Sequence, residues 1–176
     1  MKTAHNPGDS FEIRVPASIA NLGPGFDTLA VAVNLYLRLR VHVVEGPGAI
    51  SFRFVDQELS GENYIERSYR FLARQSGAPL PAVHVDVASE IPMRAGLGSS
   101  AAATVAGLRL YEALAGELPR QAVLNAACAL EGHPDNVAAA LLGAVPAAAN
   151  PIIPPIAVVW PVAWVLLVPV IAIEAA

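Results

Sequence analysis

The 176-residue chain predicts an α+β fold in two layers, a sheet packed against helices. Three observations predict it: runs with period-two alternation of apolar and polar residues, longer apolar runs of helical character, and prolines and glycines that fall between them. The first strand is expected at about 11–17, where Phe11, Ile13 and Val15 share one face and the glycines and prolines of 16–25 stop the run. A second strand is expected at about 31–44, with Arg38 and Arg40 alternating against Leu37, Leu39 and Val41. Shorter strands are expected at 49–55 and 81–88, and a helix at 62–76. Helices at 98–116, 119–130 and 135–143 follow, with Pro92 ahead of the first and Pro119 between the first two, as helix breakers should lie. His42 and His84 fall in strand runs and read as structural. No internal repeat is visible.

Composition sets limits on function. A chain of this length can bury a real core and reads as one folded domain over 1–155. Eleven basic against fifteen acidic residues give a net charge of −4 with no basic stripe, so nucleic acid is not an expected partner. The single Cys128 allows no intrachain disulfide, and the start lacks the apolar core of a signal peptide, so a cytoplasmic protein is expected. Between Asn136 and Ile173 there is no charged residue. A membrane span must be weighed there, but Pro161 and Pro169 interrupt the run and no basic residue flanks it. The competing reading, two buried strands at Ile156–Trp160 and Trp164–Val168, makes 156–176 a junction to something that covers them. Uncovered apolar strands would favour self-association, and a homodimer is the expected form of it.

Chemistry concentrates in three segments. The run Pro92-Met93-Arg94-Ala95-Gly96-Leu97-Gly98-Ser99-Ser100-Ala101-Ala102-Ala103 joins a glycine loop to a helix start. Gly96 and Gly98 let backbone approach an anion, and the first N–H groups of the helix have no internal partner, so a polyphosphate fits there. The bland alternative is a tight strand-to-helix turn with a serine cap. The chain has neither the Gly-x-x-x-x-Gly-Lys-Ser/Thr loop nor Gly-x-Gly-x-x-Gly after a strand. In Pro16-Ala17-Ser18-Ile19-Ala20-Asn21-Leu22-Gly23-Pro24-Gly25-Phe26-Asp27, Asn21 and Asp27 sit on a loop and suit a substrate hydroxyl or ammonium, or else satisfy a turn. In Glu131-Gly132-His133-Pro134-Asp135-Asn136-Val137, polar groups crowd between apolar flanks and need a ligand, a metal or one another. Asp135 and Asn136 alternatively cap the next helix. The spacing is not that of a zinc site.

In this order the three segments closely resemble the homoserine kinases, within the superfamily of galacto-, homoserine, mevalonate and phosphomevalonate kinases, over about residues 11–145. A weaker match is Glu62-Asn63-Tyr64-Ile65, where the family has an Asn-Leu pair near the adenine. The resemblance implies a ribosomal protein S5 domain 2-like N-terminal kinase domain. A second, ferredoxin-like domain, with its own glycine-rich loop and the arginines for the substrate carboxylate, is missing here. It implies ATP-dependent phosphorylation of the hydroxyl of L-homoserine, a step of threonine biosynthesis, by a chain that is a fragment of the enzyme. By the same resemblance Asn63 and the run Pro92, Met93, Arg94, Ala95, Gly96, Leu97, Gly98, Ser99, Ser100, Ala101 and Ala102 bind ATP. Ser100, with Ser99 as its alternative, and Glu131 hold Mg²⁺. Asn21, Asp27, His133 and Asn136 face the amino acid, with Asp27 near its ammonium and Asn136 near the reacting hydroxyl. Asn21, Asn136 and His133 form the catalytic set; His133 has the pKa of a general base but fits substrate binding better. The departures from the family pattern are Ala30 for Gly, Ala144 for the second residue of a Gly-Gly pair, and Val170 for an acidic residue. Another small-molecule kinase of the superfamily, or a non-catalytic or membrane-tethered fragment, is the alternative.

Overall fold

A computed structural model describes residues 5–55, 61–132, 134–143, 157–159 and 166–168. Four strands, β1 (Ser10–Leu22), β2 (Gly25–Pro47), β3 (Ile50–Phe54) and β4 (Pro81–Ser89), form one sheet in the order β1-β2-β4-β3. β2 pairs antiparallel with β1 and β4, whereas β3 and β4 run parallel because helix α1 (Tyr64–Ser76) carries the chain back between them. Strand alternation decides which face is covered. Val15, Leu39, Val41 and Val85 are buried, while Arg14, Arg38, Arg40, His42, His84 and Asp86 occupy the intervening positions on the opposite face.

The first two strands run further than their alternation predicts. Pro16 does not end β1, because β1 is an edge strand and the register shifts between Pro16 and Ala17, where a missing N–H is tolerated. The 16–27 segment is therefore the far end of a long hairpin rather than a loop after a strand. Leu22 pairs with Gly25 across a turn at Gly23 and Pro24, entered through Asn21 at a φ of 59°.

The helices fall within two residues of expectation: α2 (Ser99–Ala115), α3 (Arg120–Glu131) and α4 (Pro134–Gly143). Helix α2 is apolar on nearly all sides and is the centre of the helical layer, flanked by α1, α3, α4 and the sheet. Gly107 makes its closest approach possible, since a Cβ there would lie 2.1 Å from both the Ile65 carbonyl oxygen and Ser68 Oγ of α1. Tyr69 and Tyr111 pack edge to face across the same contact. In the apolar tail, β5 (Ala157–Val159) and β6 (Leu166–Val168) pair antiparallel, within the two expected strands. Among the described residues no helix is long and apolar enough to cross a membrane.

Candidate functional site

The three polar segments meet at Gly98. The Ser18 N–H donates to the Leu97 carbonyl at 3.1 Å, and the Ser18 hydroxyl donates to Asn136 Oδ1 at 2.9 Å. Gly98 lies between them at a φ of 63°, and a Cβ there would stand 2.1 Å from Ser18 Oγ and 3.1 Å from Asn136 Oδ1. Only glycine fits this junction. The hairpin, the glycine loop and α4 thus touch at the first turn of α2, although Ser18 and Asn136 are 118 positions apart.

The start of α2 is not the serine-capped turn of the bland reading. Gly98 occupies the cap position without any side-chain cap bond, and the first turn contains no acidic residue. Its opening N–H groups and the positive end of its dipole are left for an anion. The loop before it, from Pro92 to Leu97, is exposed or half-buried, and Arg94 and Gly96 have φ values of 59° and 74°. Left-handed backbone costs a residue with a Cβ about 1–2 kcal/mol, so Arg94 is strained where Gly96 is not.

In the first turn of the helix Ser100 Oγ donates to Glu131 Oε2 at 2.9 Å, and one turn on Thr104 Oγ1 donates to Glu131 Oε1 at 2.7 Å. Ser100 and Thr104 are four residues apart and so share a helix face, while Glu131 is the last residue of α3, where Gly132 turns the chain at a φ of 79°. The carboxylate is held at both oxygens. The donor set suits Mg²⁺, which takes one or two carboxylates and leaves the rest to phosphates and water. Among the described residues no three His, Cys, Asp or Glu side chains converge to form a metal cage.

The remaining expected residues are placed less uniformly. Asp135 is 1% exposed and accepts the Asn136 N–H at 2.7 Å, so it organises the first turn of α4 beside the site. Asn21 is exposed at the end of β1, and the backbone of Asp27 lies on β2 beyond the turn. His133 and the Asp27 side chain lie outside the described part. The Asn63 side chain serves the fold, because its oxygen caps α1 by accepting the N–H groups of Ile65 and Glu66 at 3.1 and 3.2 Å. It also lines a cleft of about 330 Å³ with Glu62, Glu66, Arg67, Arg70 and Arg74. Arg67 ties that cleft to the end of α3 by donating to the Leu130 carbonyl next to Glu131. Half-buried Cys128, one turn before Gly132, has its thiol pushed up by burial and then by the charge of Asp135. Sequence reasoning missed two groups of the candidate site. Thr104 was detectable from its four-residue spacing to Ser100, whereas Ser18 carried no signal beyond lying in a polar segment.

Residues 63–144 match the family of the GHMP kinases N terminal domain. Over that stretch the chain is similar to the N-terminal domain of the GHMP kinases. A homoserine kinase of Deinococcus radiodurans is 41% identical over 143 residues, covering 80% of this chain and 47% of the relative. A homoserine kinase of Thermus thermophilus is 41% identical over 168 residues, covering 88% of this chain and 54% of the relative. The solved homoserine kinase from Cytophaga hutchinsonii superposes with a TM-score of 0.66 at 27% identity, covering 80% of this chain and 48% of that one. The chain spans about half the length of the curated relatives it matches. All of α2, α3 and α4 and the glycine loop lie inside the matched region, while β1 and its Ser18 lie before it.

Proposed function

We propose that this chain is the nucleotide-binding part of a homoserine kinase, which transfers the terminal phosphoryl group of ATP to the side-chain hydroxyl of L-homoserine. The observation that carries the proposal is the junction at Gly98, where an uncapped helix start meets both the Ser18 hairpin and Asn136. Phosphoryl transfer asks a protein mainly for positioning and charge stabilisation, and this junction holds an anion site and a polar amide side by side. Bound Mg²⁺ would neutralise phosphate charge, and Ser100 and Glu131 are the residues that would hold it. Thr104 keeps the Glu131 carboxylate oriented through its second oxygen. The backbone of Pro92 to Ala102 receives the phosphates, with the N–H groups at the start of α2 donating to them. Asn136, fixed by the Ser18 hydroxyl on its oxygen, retains its amide N–H₂ for the acceptor alcohol, and Asn21 and Asp27 bind the amino acid from the hairpin, Asp27 through its ammonium. His133 completes that set. A cytoplasmic location goes with such a biosynthetic role.

The test is ADP formation that depends on L-homoserine, measured on the protein as its source expresses it, with mevalonate, galactose and L-serine as competing acceptors. ADP formation with L-homoserine well above the other three is expected. A preference for mevalonate or galactose, or ADP formation with none of the four, refutes the assignment.

A further inference from the structure

β1 is an edge strand, and no described residue bonds to the outer backbone of its first half, Ser10 to Pro16. The Val43 N–H of β2 donates to the Asp9 carbonyl at 2.9 Å, whereas the Ser18 N–H donates away from β2, to Leu97, so odd-numbered residues here bond to β2 and even-numbered ones turn outward. Pro16 obeys the same rule, since its missing N–H would be an outward one. The edge thus offers the N–H and C=O groups of Ser10, Glu12 and Arg14 and the carbonyl of Pro16, a length of open ladder that proteins ordinarily cover.

The side chains along this edge also lack partners. Arg14 lies over the Tyr36 ring at 4.3 Å, its Nε is buried with no hydrogen-bond partner, and the residue opposite it in β2 is another arginine, Arg38, already paired with Glu90. Neither Arg14 nor Glu12 forms an ion pair with any described residue. On the helix-covered face Phe11 and Ile13 are only partly buried. Edge charges of a single sign would repel a second copy of the chain, but here an acid and a base two positions apart share one face.

We propose that the outer edge of β1 pairs with the same edge of a second copy, antiparallel about Ile13, to make one continuous sheet through a two-fold dimer. In this register Glu12 stands opposite Arg14 of the second copy, so that the pair exchanges both backbone hydrogen bonds and brings opposite charges together. The Ser10 N–H donates to the Pro16 carbonyl of the second copy, Ile13 meets Ile13, and Phe11 meets Val15. Sliding the strands to the next outward pairing in either direction sets Glu12 against Glu12 or Arg14 against Arg14. Charge therefore selects the register. This surface is separate from the apolar strands β5 and β6 and does not depend on the kinase reading.

Sedimentation velocity over a concentration series, on the protein as its source expresses it, tests the pairing with Glu12→Arg, Arg14→Glu, the variant carrying both changes, and an equimolar mixture of the two single variants. Wild type should be dimeric. Each single variant sets like charges at both symmetry-related pairs and should weaken dimerisation about tenfold or more. The double variant and the mixture both put an arginine opposite a glutamate again and should recover the dimer, which misfolded chains would not do. Hydrogen exchange should be slow at the Glu12 and Arg14 N–H groups of wild type and of the double variant, and faster in each single variant. A monomeric wild type overturns the inference, whether its β1 edge is open or covered by another part of its own chain. So does a dimer that the single variants leave intact or that the double variant fails to restore.

Discussion

Replacing Gly98 by alanine tests the junction on which the site depends. The added Cβ meets two kinds of cost. The residue stays at a φ of 63°, which is unfavourable by about 1–2 kcal/mol for any residue with a Cβ. The same atom lies 2.1 Å from Ser18 Oγ and 3.1 Å from the Ser18 carbonyl oxygen. The hydroxyl can rotate away from the methyl group, but Ser18 is fully buried, so leaving Asn136 costs it a hydrogen bond worth about 1 kcal/mol with no water to replace it. The carbonyl contact cannot be relieved by rotation and adds overpacking of roughly 1–3 kcal/mol. Gly98→Ala should therefore lose about 3–6 kcal/mol. Gly96→Ala is the internal control, because Gly96 has a φ of 74° and nothing within 4 Å of its missing Cβ. It should lose only the backbone term, about 1–2 kcal/mol. Urea unfolding of the three proteins measures the difference, provided that the slope of stability against urea is common to all. If the two variants lose stability equally, within about 0.5 kcal/mol, the Ser18–Gly98–Asn136 contact does not exist as described.

Gly107→Ala should destabilise by a few kcal/mol, about as much as severe overpacking does, because its Cβ would strike the backbone of Ile65 at 2.1 Å rather than a yielding side chain. Urea unfolding again measures it, and a loss below about 1 kcal/mol would mean that α1 and α2 stand further apart than described. Acid should weaken the sheet through Asp86, whose carboxyl is held below the usual range first by its hydrogen bonds from Arg53, which outweigh the opposing effect of burial, and then by the charges of Arg53, His84 and His42. A depressed carboxyl contributes stability that is fully present above its unfolded pKa, about 4, and is lost as pH falls through the lower folded value. Asp86→Asn should accordingly flatten the fall in melting temperature below pH 4, and an unchanged acid limb would show that this ion pair is immaterial.

Most of the fold was legible because it rests on local signals. Helix ends at Pro119 and Gly132 and the alternation of Leu37, Leu39 and Val41 need no tertiary knowledge. The length of β1 was not, since Pro16 is a strand breaker only where its missing N–H would be needed, and edge position is a property of the assembled sheet. In the candidate site, the glycine loop and Glu131 announced themselves by composition. Ser18 and Thr104 did not, because a serine or threonine becomes a site residue through the partner it meets, and those partners, Asn136 and Glu131, are distant in sequence. Asn63 shows the converse: a residue assigned to the nucleotide by resemblance has its side-chain oxygen occupied as a helix cap.

The Ser18–Asn136 bond closes a loop of 118 positions, among the longest connections in the described fold. Contacts of that span form late in folding, because the entropy of bringing distant chain segments together must be overcome first by the hairpin and the helical layer. A ligand that needs the hairpin, the glycine loop and α4 at once cannot be held by any partly folded chain. Its binding free energy should then appear wholly as resistance to global unfolding, and hydrogen exchange should slow in β1 and α4 together with the loop.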